Sequence, residues 1–400
     1  MNFSLYIAKR YLFSKSSNNT INIITIIAAI GVIIGTLALF IVLSGFSGLR
    51  TFSTSFLDTS DPDIKISSIK GKSFEVDDKL LEILTAEKGI SSFSKVIEER
   101  AFFEFKGKTH VAYLKGIDTN YTQVNSIDTT VYVGTWLDPK IPYGVIIGNG
   151  ISSILSVGVF EFTDNLKIYV PKPGKGYINN PTNAINSIET QAIGIYALTD
   201  DVDKKYTFLS LELAQELLNY KPNQISSIEL KVDDLNKRAE IIDNLKSKLG
   251  DGFTIKTREQ LNAVFYKMLN TENLASYLIF TLILIIALFN VIGAIIMMIL
   301  DKKENLKTLY NLGATIKEIK RVFVLQGFLL SLFGLFVGLA IGIPLVLLQK
   351  KYHLFMITEH LAYPVEFTLL NLISVTITII VLGFLASKIA SSRISKKLVE

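Results

Sequence analysis

Few residues in this 400-residue chain have the types and spacings that catalysis or ligand binding requires. A phosphate-binding loop reads G-x-x-x-x-G-K-[ST], with backbone amides cradling the phosphates and the lysine reaching the terminal ones. Gly71-Lys72-Ser73 supplies the end of that pattern, but Ile66 stands where the leading glycine belongs. Gly45-Phe46-Ser47-Gly48 falls one residue short of the G-x-S-x-G nucleophile elbow and reads as a turn at a helix end. Of His110, His353 and His360, only the last two are near each other, without metal-ligand spacing, and both read as polar residues at an interface. Asp61 and Asp63 flank Pro62 and could pose as an acid–base pair, but they read rather as turn residues opening a strand. The chain has no cysteine, which excludes a disulfide scaffold, a cysteine zinc site, a thiol nucleophile and an acylated lipoprotein N-terminus. We therefore expect no catalytic residue, no metal and no cofactor.

The elements that would hold such residues point instead to a membrane. Hydrophobic residues make up 49% of the chain and charged ones 19%, and mean hydropathy is +0.40. Soluble domains are nearer about 25% charged. Four stretches contain no charged residue: 21–43, 274–300, 322–349 and 367–387. Each is long enough as a helix to cross a hydrocarbon core of about 30 Å. The first is longer than the about 7–15 residues of a signal-peptide core, and no A-x-A site follows it, so it reads as an uncleaved anchor.

The net charge of +5 divides by side. The arm 1–20, the loop 301–321 and the tail 388–400 fall on one side of a four-span chain and hold 13 basic and 4 acidic residues. By the positive-inside rule these segments are cytoplasmic, both termini included, and the long connection after the first span is exported. The expected order is a cytoplasmic amphipathic arm (1–20), a first span (21–45), an exported domain (46–273), a second span (274–300) and a cytoplasmic loop (301–321). A third span (322–349), a short periplasmic loop (350–366), a fourth span (367–387) and a tail (388–400) complete it. In the arm, Phe3, Ile7 and Tyr11 at helical spacing beside Lys9 and Arg10 suit an interfacial helix. No charged residue interrupts any span, which disfavours ion-coupled transport, and nothing in the charge distribution calls for nucleic acid.

The exported domain reads as α+β. Strand patterns occur at 63–69, on both sides of a Lys106-Gly107-Lys108 turn within 93–115, at 226–232 and at 253–256. Helical patterns occupy 77–87, 211–219, 235–249 and 257–270. A strand- and turn-rich middle between these flanks suggests two subdomains, with a β-rich one inserted at about 116–205.

Two membrane-side patterns carry more information. In the loop DKKENLKTLYNLGATIKEIKRVFVLQG, Leu306, Leu309, Tyr310 and Leu312 line a short amphipathic helix. Gly313 suits its stop, and Thr315 with Glu318 makes a capping box that restarts a helix. A short helix lying crosswise beneath a bundle can receive motion from a cytoplasmic ATPase. In the third span, Gly334, Gly338 and Gly342 recur every fourth residue, the pattern of close helix packing. Asn290 and Gln326 are the polar groups expected to hydrogen-bond between helices.

The strings IGVIIGTLALFIVLSGFSG, LIIALFNVIGAIIMMILDKKENLKTLYNLGA and IKRVFVLQG, in an order of one span, a large exported domain and three spans, resemble the lipoprotein-releasing (Lol-type) permeases of the FtsX-like, MacB-like ABC superfamily. The resemblance covers essentially the whole chain. It implies four transmembrane helices with a MacB-like periplasmic core, in the bacterial inner membrane. It also implies pairing with an identical or paralogous permease and a separate ABC ATPase that binds the ATP. Lys302, Lys303, Leu306, Lys307, Leu309, Tyr310, Leu312 and Gly313 would form the coupling helix. Acylated lipoproteins would leave the lipid between the first and second spans and pass to a periplasmic chaperone. PKPGKGYINNPTNAINS stands where the family's chaperone hook would lie, without a close sequence match to it, and its candidates are Pro171, Pro173, Gly174, Gly176 and Pro181. Apolar residues at 33–46 and 277–286 would line the lateral opening. A MacB-like efflux permease for peptides or toxins, and an FtsX-like regulator of a cell-wall hydrolase, are the other readings this resemblance leaves open.

Overall fold

The computed structural model describes residues 3–13, 19–161, 163–172, 185–358 and 361–395. Its four longest helices, Asn19–Ser60, Ala263–Asp301, Ile316–Tyr352 and Leu369–Ser391, are each long and apolar enough to cross a membrane. They are called the first to fourth spans below. The first two outrun the charge-free stretches that reveal them. No proline lies between Leu43 and Ser60, so the helix continues after its apolarity ends. The chain divides into two compact units, Met1–Ser53 with Val264–Glu400, and Thr54–Ala263, rather than at 46 and 273.

The helical unit is built around the third span. A short helix, Phe3–Phe13, packs along it with Ser4 and Ala8 buried and the Tyr11 ring 6.4 Å from that of Phe323. Leu5 and Tyr6 are exposed. Leu39, Phe40, Leu284, Val291, Phe323 and Ile379, drawn from all four spans, share one buried core.

The α/β unit is organised by the 16-residue strand Ile90–Phe105. Lys106 (φ 48°) and Gly107 (φ 78°) turn it back into Lys108–Ile117, the two left-handed positions of a two-residue hairpin loop. From there the ladders run to Tyr206–Ser210, Gly144–Gly148, Ile185–Tyr196 and Leu166–Pro171, which pairs again with Ile90–Phe105. Six strands thus close into a ring filled by Phe103, Phe105, Leu114, Val145, Ile147 and Ile168. On the other edge of Ile90–Phe105 the sheet continues open through Ser227–Val232, Ile64–Ser68 and Phe253–Thr257.

Helices Asp78–Ala86, Leu211–Leu218 and Arg238–Leu249 cover this sheet with Leu80, Leu84, Leu213, Leu217, Ile241 and Leu245. Asp77 and Ser210 cap the first two by accepting from the Leu80 and Leu213 N–H groups. The unit is mixed α/β. The expected inserted subdomain at 116–205 is not separate, because half of the ring's strands lie outside that range. A closed ladder shares its staves with the flanking sheet.

Candidate functional site

The loop between the second and third spans forms a nine-residue helix, Lys303–Asn311. Leu306 is buried, and Leu309 and Tyr310 pack against the helical core. Gly313 follows with φ 101°, and its N–H donates to the Tyr310 carbonyl at 2.9 Å while that of Ala314 donates to Leu309 at 3.0 Å. The Schellman-like pattern closes the helix end. The restart is a capping box: the Glu318 N–H donates to Thr315 Oγ1 (3.3 Å), and the Thr315 N–H donates to the Glu318 carboxylate (2.8 Å). Lys302 pairs with Asp301 at 2.9 Å, whereas Lys303 is exposed. The expected inward stripe needs one correction. The helix ends at Asn311, so Leu312 falls on its C-cap and is 80% exposed.

The three glycines of the third span lie on the first span in step. A Cβ at Gly334 would sit 2.6 Å from Val32, at Gly338 2.7 Å from Thr36 and at Gly342 3.1 Å from Phe40. Each closer approach requires a residue without a side chain. Gln326 is buried and donates to Met298 Sδ at 3.0 Å, linking the third and second spans. Asn290 departs from the expectation of a buried polar contact: it is exposed. The helix phase is set by Leu284, Leu288, Val291 and Ile295, all buried, which turns Asn290 outward with Ile286 and Phe289. Of the expected lateral-opening residues, Ile34, Leu278 and Leu282 are exposed, while Leu284 is buried against Gly35.

Pro171 ends its strand, exposed, opposite Ile185 in the antiparallel ladder. The other hook candidates, Pro173, Gly174, Gly176 and Pro181, lie outside the described residues. Beside Pro171 and Ile185 is a groove of about 670 Å³ floored by Phe102, Val111 and Tyr169 and edged by Lys72 and Arg100.

The residues that looked able to do chemistry have other partners. Lys72 pairs with Glu99 at 2.6 Å and Ser73 Oγ accepts from Gln224 at 2.8 Å, so Gly71-Lys72-Ser73 is a turn. Gly45 to Gly48 is not a helix-end turn but lies inside the first span. His110 Nε2 meets the Lys204 carbonyl at 2.9 Å, His353 caps the third span and His360 lies outside the described residues. No group of three or more possible metal ligands occurs among the described residues.

Sequence reasoning missed a buried clamp at the two ends of the α/β unit. Arg258, only 6% exposed, donates to the carboxylates of Asp58 and Asp63 (2.8 Å to the latter) and to the Asp61 carbonyl (3.2 Å). Asn262 donates to Asp61 at 2.9 Å, and burial pushes the Asp61 carboxyl up despite that bond. The residues leaving the first span are thereby bolted to those entering the second. A second buried pair, Lys115 and Glu229 at 2.9 Å, lies beneath Lys65 and Glu98. Burial opposes the Lys115 charge, but Glu229 outweighs it and holds the ammonium well above its usual range.

Residues 277–399 match the family described as FtsX-like permease C-terminal. The lipoprotein-releasing system transmembrane protein LolE of Haemophilus influenzae is 26% identical over 87% of this chain and 83% of its own length. LolC of Buchnera aphidicola is 25% identical over 96% of this chain and 94% of its own. Among solved structures, the periplasmic region of MacB from Actinobacillus actinomycetemcomitans is similar over 51% of this chain and 92% of its own, at 15% identity and a TM-score of 0.33. The extracellular domain of the ABC-type transporter YknZ is similar over 48% and 99%, at 12% identity and a TM-score of 0.33. Residues 277–399 are thus similar to the FtsX-like permease C-terminal family, and the chain is similar, along nearly its whole length, to the transmembrane proteins of lipoprotein-releasing systems.

Proposed function

We propose that this chain is the permease subunit of an ABC transporter that extracts lipoproteins from the inner membrane and hands them to a periplasmic chaperone. The observation that carries the reading is the similarity to LolC and LolE, which spans both the helical and the α/β units. The 13 basic and 4 acidic residues of the arm, the 301–321 loop and the tail support a cytoplasmic side for those segments and an exported α/β unit.

The parts then have assignable tasks. A separate ATPase binds and hydrolyses the ATP, and this chain needs no cofactor of its own. The ATPase docks on the outward side of Lys303–Asn311, where Lys303 and Leu312 are exposed, and its movement enters the bundle through Leu306, Leu309 and Tyr310. The glycine ladder makes the first and third spans move as one body. A second permease subunit, identical or paralogous, supplies the surface that Asn290 faces. Acyl chains leave the lipid along Ile34, Leu278 and Leu282. Each CH₂ leaving lipid costs about 0.8 kcal/mol unless another apolar surface receives it, so an uncharged opening suits this cargo. The chaperone engages the connection that begins at Pro171, beside the Phe102–Tyr169 groove.

Purification in a gentle detergent, followed by identification of co-eluting proteins, tests the assembly. An ABC ATPase and a periplasmic lipid-binding chaperone are expected. Recovery of the chain without any ATPase contradicts the scheme.

A further inference from the structure

The connection between the third and fourth spans is short, apolar and pinned. Strands Met356–Thr358 and Leu361–Ala362 pair antiparallel just beyond the His353 cap. Gln349, buried, fixes them with its side-chain amide. Its Oε1 accepts from the Phe355 N–H at 2.8 Å, and its Nε2 donates to the carbonyls of Phe355 (2.9 Å) and Tyr363 (3.0 Å). The returning chain is seated on the first span. A Cβ at Gly45 would lie 3.3 Å from the Tyr363 ring, and one at Gly48 would lie 2.4 Å from the Pro364 carbonyl oxygen. The Glu366 N–H donates to the Ser44 carbonyl at 2.9 Å, and Asn371 Nδ2 donates to Ser47 Oγ at 2.8 Å. The Gly45–Gly48 pattern that resembled a nucleophile elbow is thus a notch for this connection.

What the ribbon presents outward is unlike a solvated turn. Leu354, Phe355, Met356 and Ile357 are 62%, 73%, 48% and 50% exposed, although Gln349 and the strand pairing tie down the backbone at Phe355 and Met356. This exposed apolar surface continues onto Ile341, Leu345 and Leu348 of the third span and Leu369 and Leu370 of the fourth, surfaces that face lipid in a membrane-spanning helix. Between 344 and 358 the only charged residues are Lys350 and Lys351, which lie in the last turn of the third span. Apolar side chains beside Tyr352 and two lysines, at the level where a span ends, match the chemistry of a phospholipid headgroup boundary.

We propose that residues 352–357 form an interfacial foot. Leu354, Phe355 and Ile357 dip among the acyl chains of the leaflet opposite the Lys303–Asn311 helix, and Lys350 and Lys351 meet lipid phosphates. The foot anchors the outer end of the third span and, through the Gly45–Gly48 notch, that of the first.

The chain has no cysteine, so single-cysteine variants need no background removal. Phe355→Cys and Ile357→Cys, made in the full chain, are labelled with an environment-sensitive NBD dye. They are then reconstituted in phosphatidylethanolamine–phosphatidylglycerol vesicles. Asp251→Cys, exposed in the α/β unit, is the control. The foot predicts blue-shifted emission at both sites. It also predicts stronger quenching by lipids carrying a nitroxide near the carbonyl end of the acyl chain than near its terminal methyl, and no quenching of the control. Emission like the control's, insensitive to either lipid, overturns the proposal. So does blue-shifted but lipid-insensitive emission of the labelled variants together with disulfide crosslinking, under added oxidant, between copies of the same variants left unlabelled, which assigns the face to a second subunit. A thermal melt matching the parent confirms that each labelled variant is folded.

Discussion

Gly338 lies directly on Thr36: a Cβ there would sit 2.7 Å from the Thr36 Cβ and 2.9 Å from the Ile33 carbonyl oxygen. The first and third spans therefore meet through a position that admits only a hydrogen. Gly338→Leu must push the helices apart, and overpacking of this kind costs about 1–3 kcal/mol, occasionally more. We expect a lowered melting temperature in detergent and loss of transport. Full stability in Gly338→Leu would contradict the ladder.

Leu306 and Leu312 sit six residues apart in one loop with opposite surroundings, 1% and 80% exposed. Leu306→Asp buries an unpaired carboxylate and should destabilise the bundle by several kcal/mol. Leu312→Asp should leave the melting temperature unchanged, yet weaken ATPase binding and uncouple hydrolysis from transport. Equal destabilisation by both changes would refute the division into an inward and an outward side. Normal transport by a stable Leu312→Asp variant would remove that residue from the docking surface.

Arg258 makes unequal pairs with Asp63, whose side chain is 4% exposed, and Asp58, whose side chain is 61% exposed. Breaking a buried pair by removing one partner typically costs about 3–5 kcal/mol, whereas an exposed pair is worth about 0–1. Arg258→Met should therefore melt the α/β unit far earlier than Asp58→Asn does. Chemical denaturation of the two variants in parallel measures the difference, and comparable losses would show that the clamp is not centred on Asp63.

Burial alone would push the Glu98 carboxyl up, but Lys65 at 2.6 Å and the Lys115 charge outweigh it and hold the group at about 2. The folded chain then binds this proton less tightly than an unfolded chain with the ordinary value of 4.5. Its contribution is fully present above that ordinary value and is lost as pH falls toward the folded one, on the order of 3 kcal/mol in all. Melting temperature should fall less steeply with acidification in Glu98→Gln than in the parent between about pH 5 and about pH 3. Parallel curves would show that Glu98 carries no such linkage. Asp61, raised by burial, works in the opposite direction and should partly offset the parent's slope.

What could be read from the chain beforehand depended on range. Charge-free runs of helix length, the Lys106-Gly107 hairpin and the Thr315–Glu318 restart are local patterns, and each is found in the structure. The closed ring was not legible, because it depends on Tyr206–Ser210 pairing in parallel with Lys108–Ile117 across a long connection. Nor was the Arg258 clamp, whose acidic partners are 195–200 residues away. Asn290 was misassigned because a polar residue in a span is ordinarily turned inward, and only the packed phase of the helix shows otherwise. Gly45 to Gly48 was misassigned because apolarity stops near Leu43 while the helix does not.

Lipoprotein sorting is the most direct readout of the proposed function. When the chain is depleted in its own cells and the two membranes are separated by density, lipoproteins destined for the outer membrane should accumulate in the inner-membrane fraction, with integral outer-membrane proteins unaffected. Unchanged lipoprotein distribution in depleted cells would contradict the central claim.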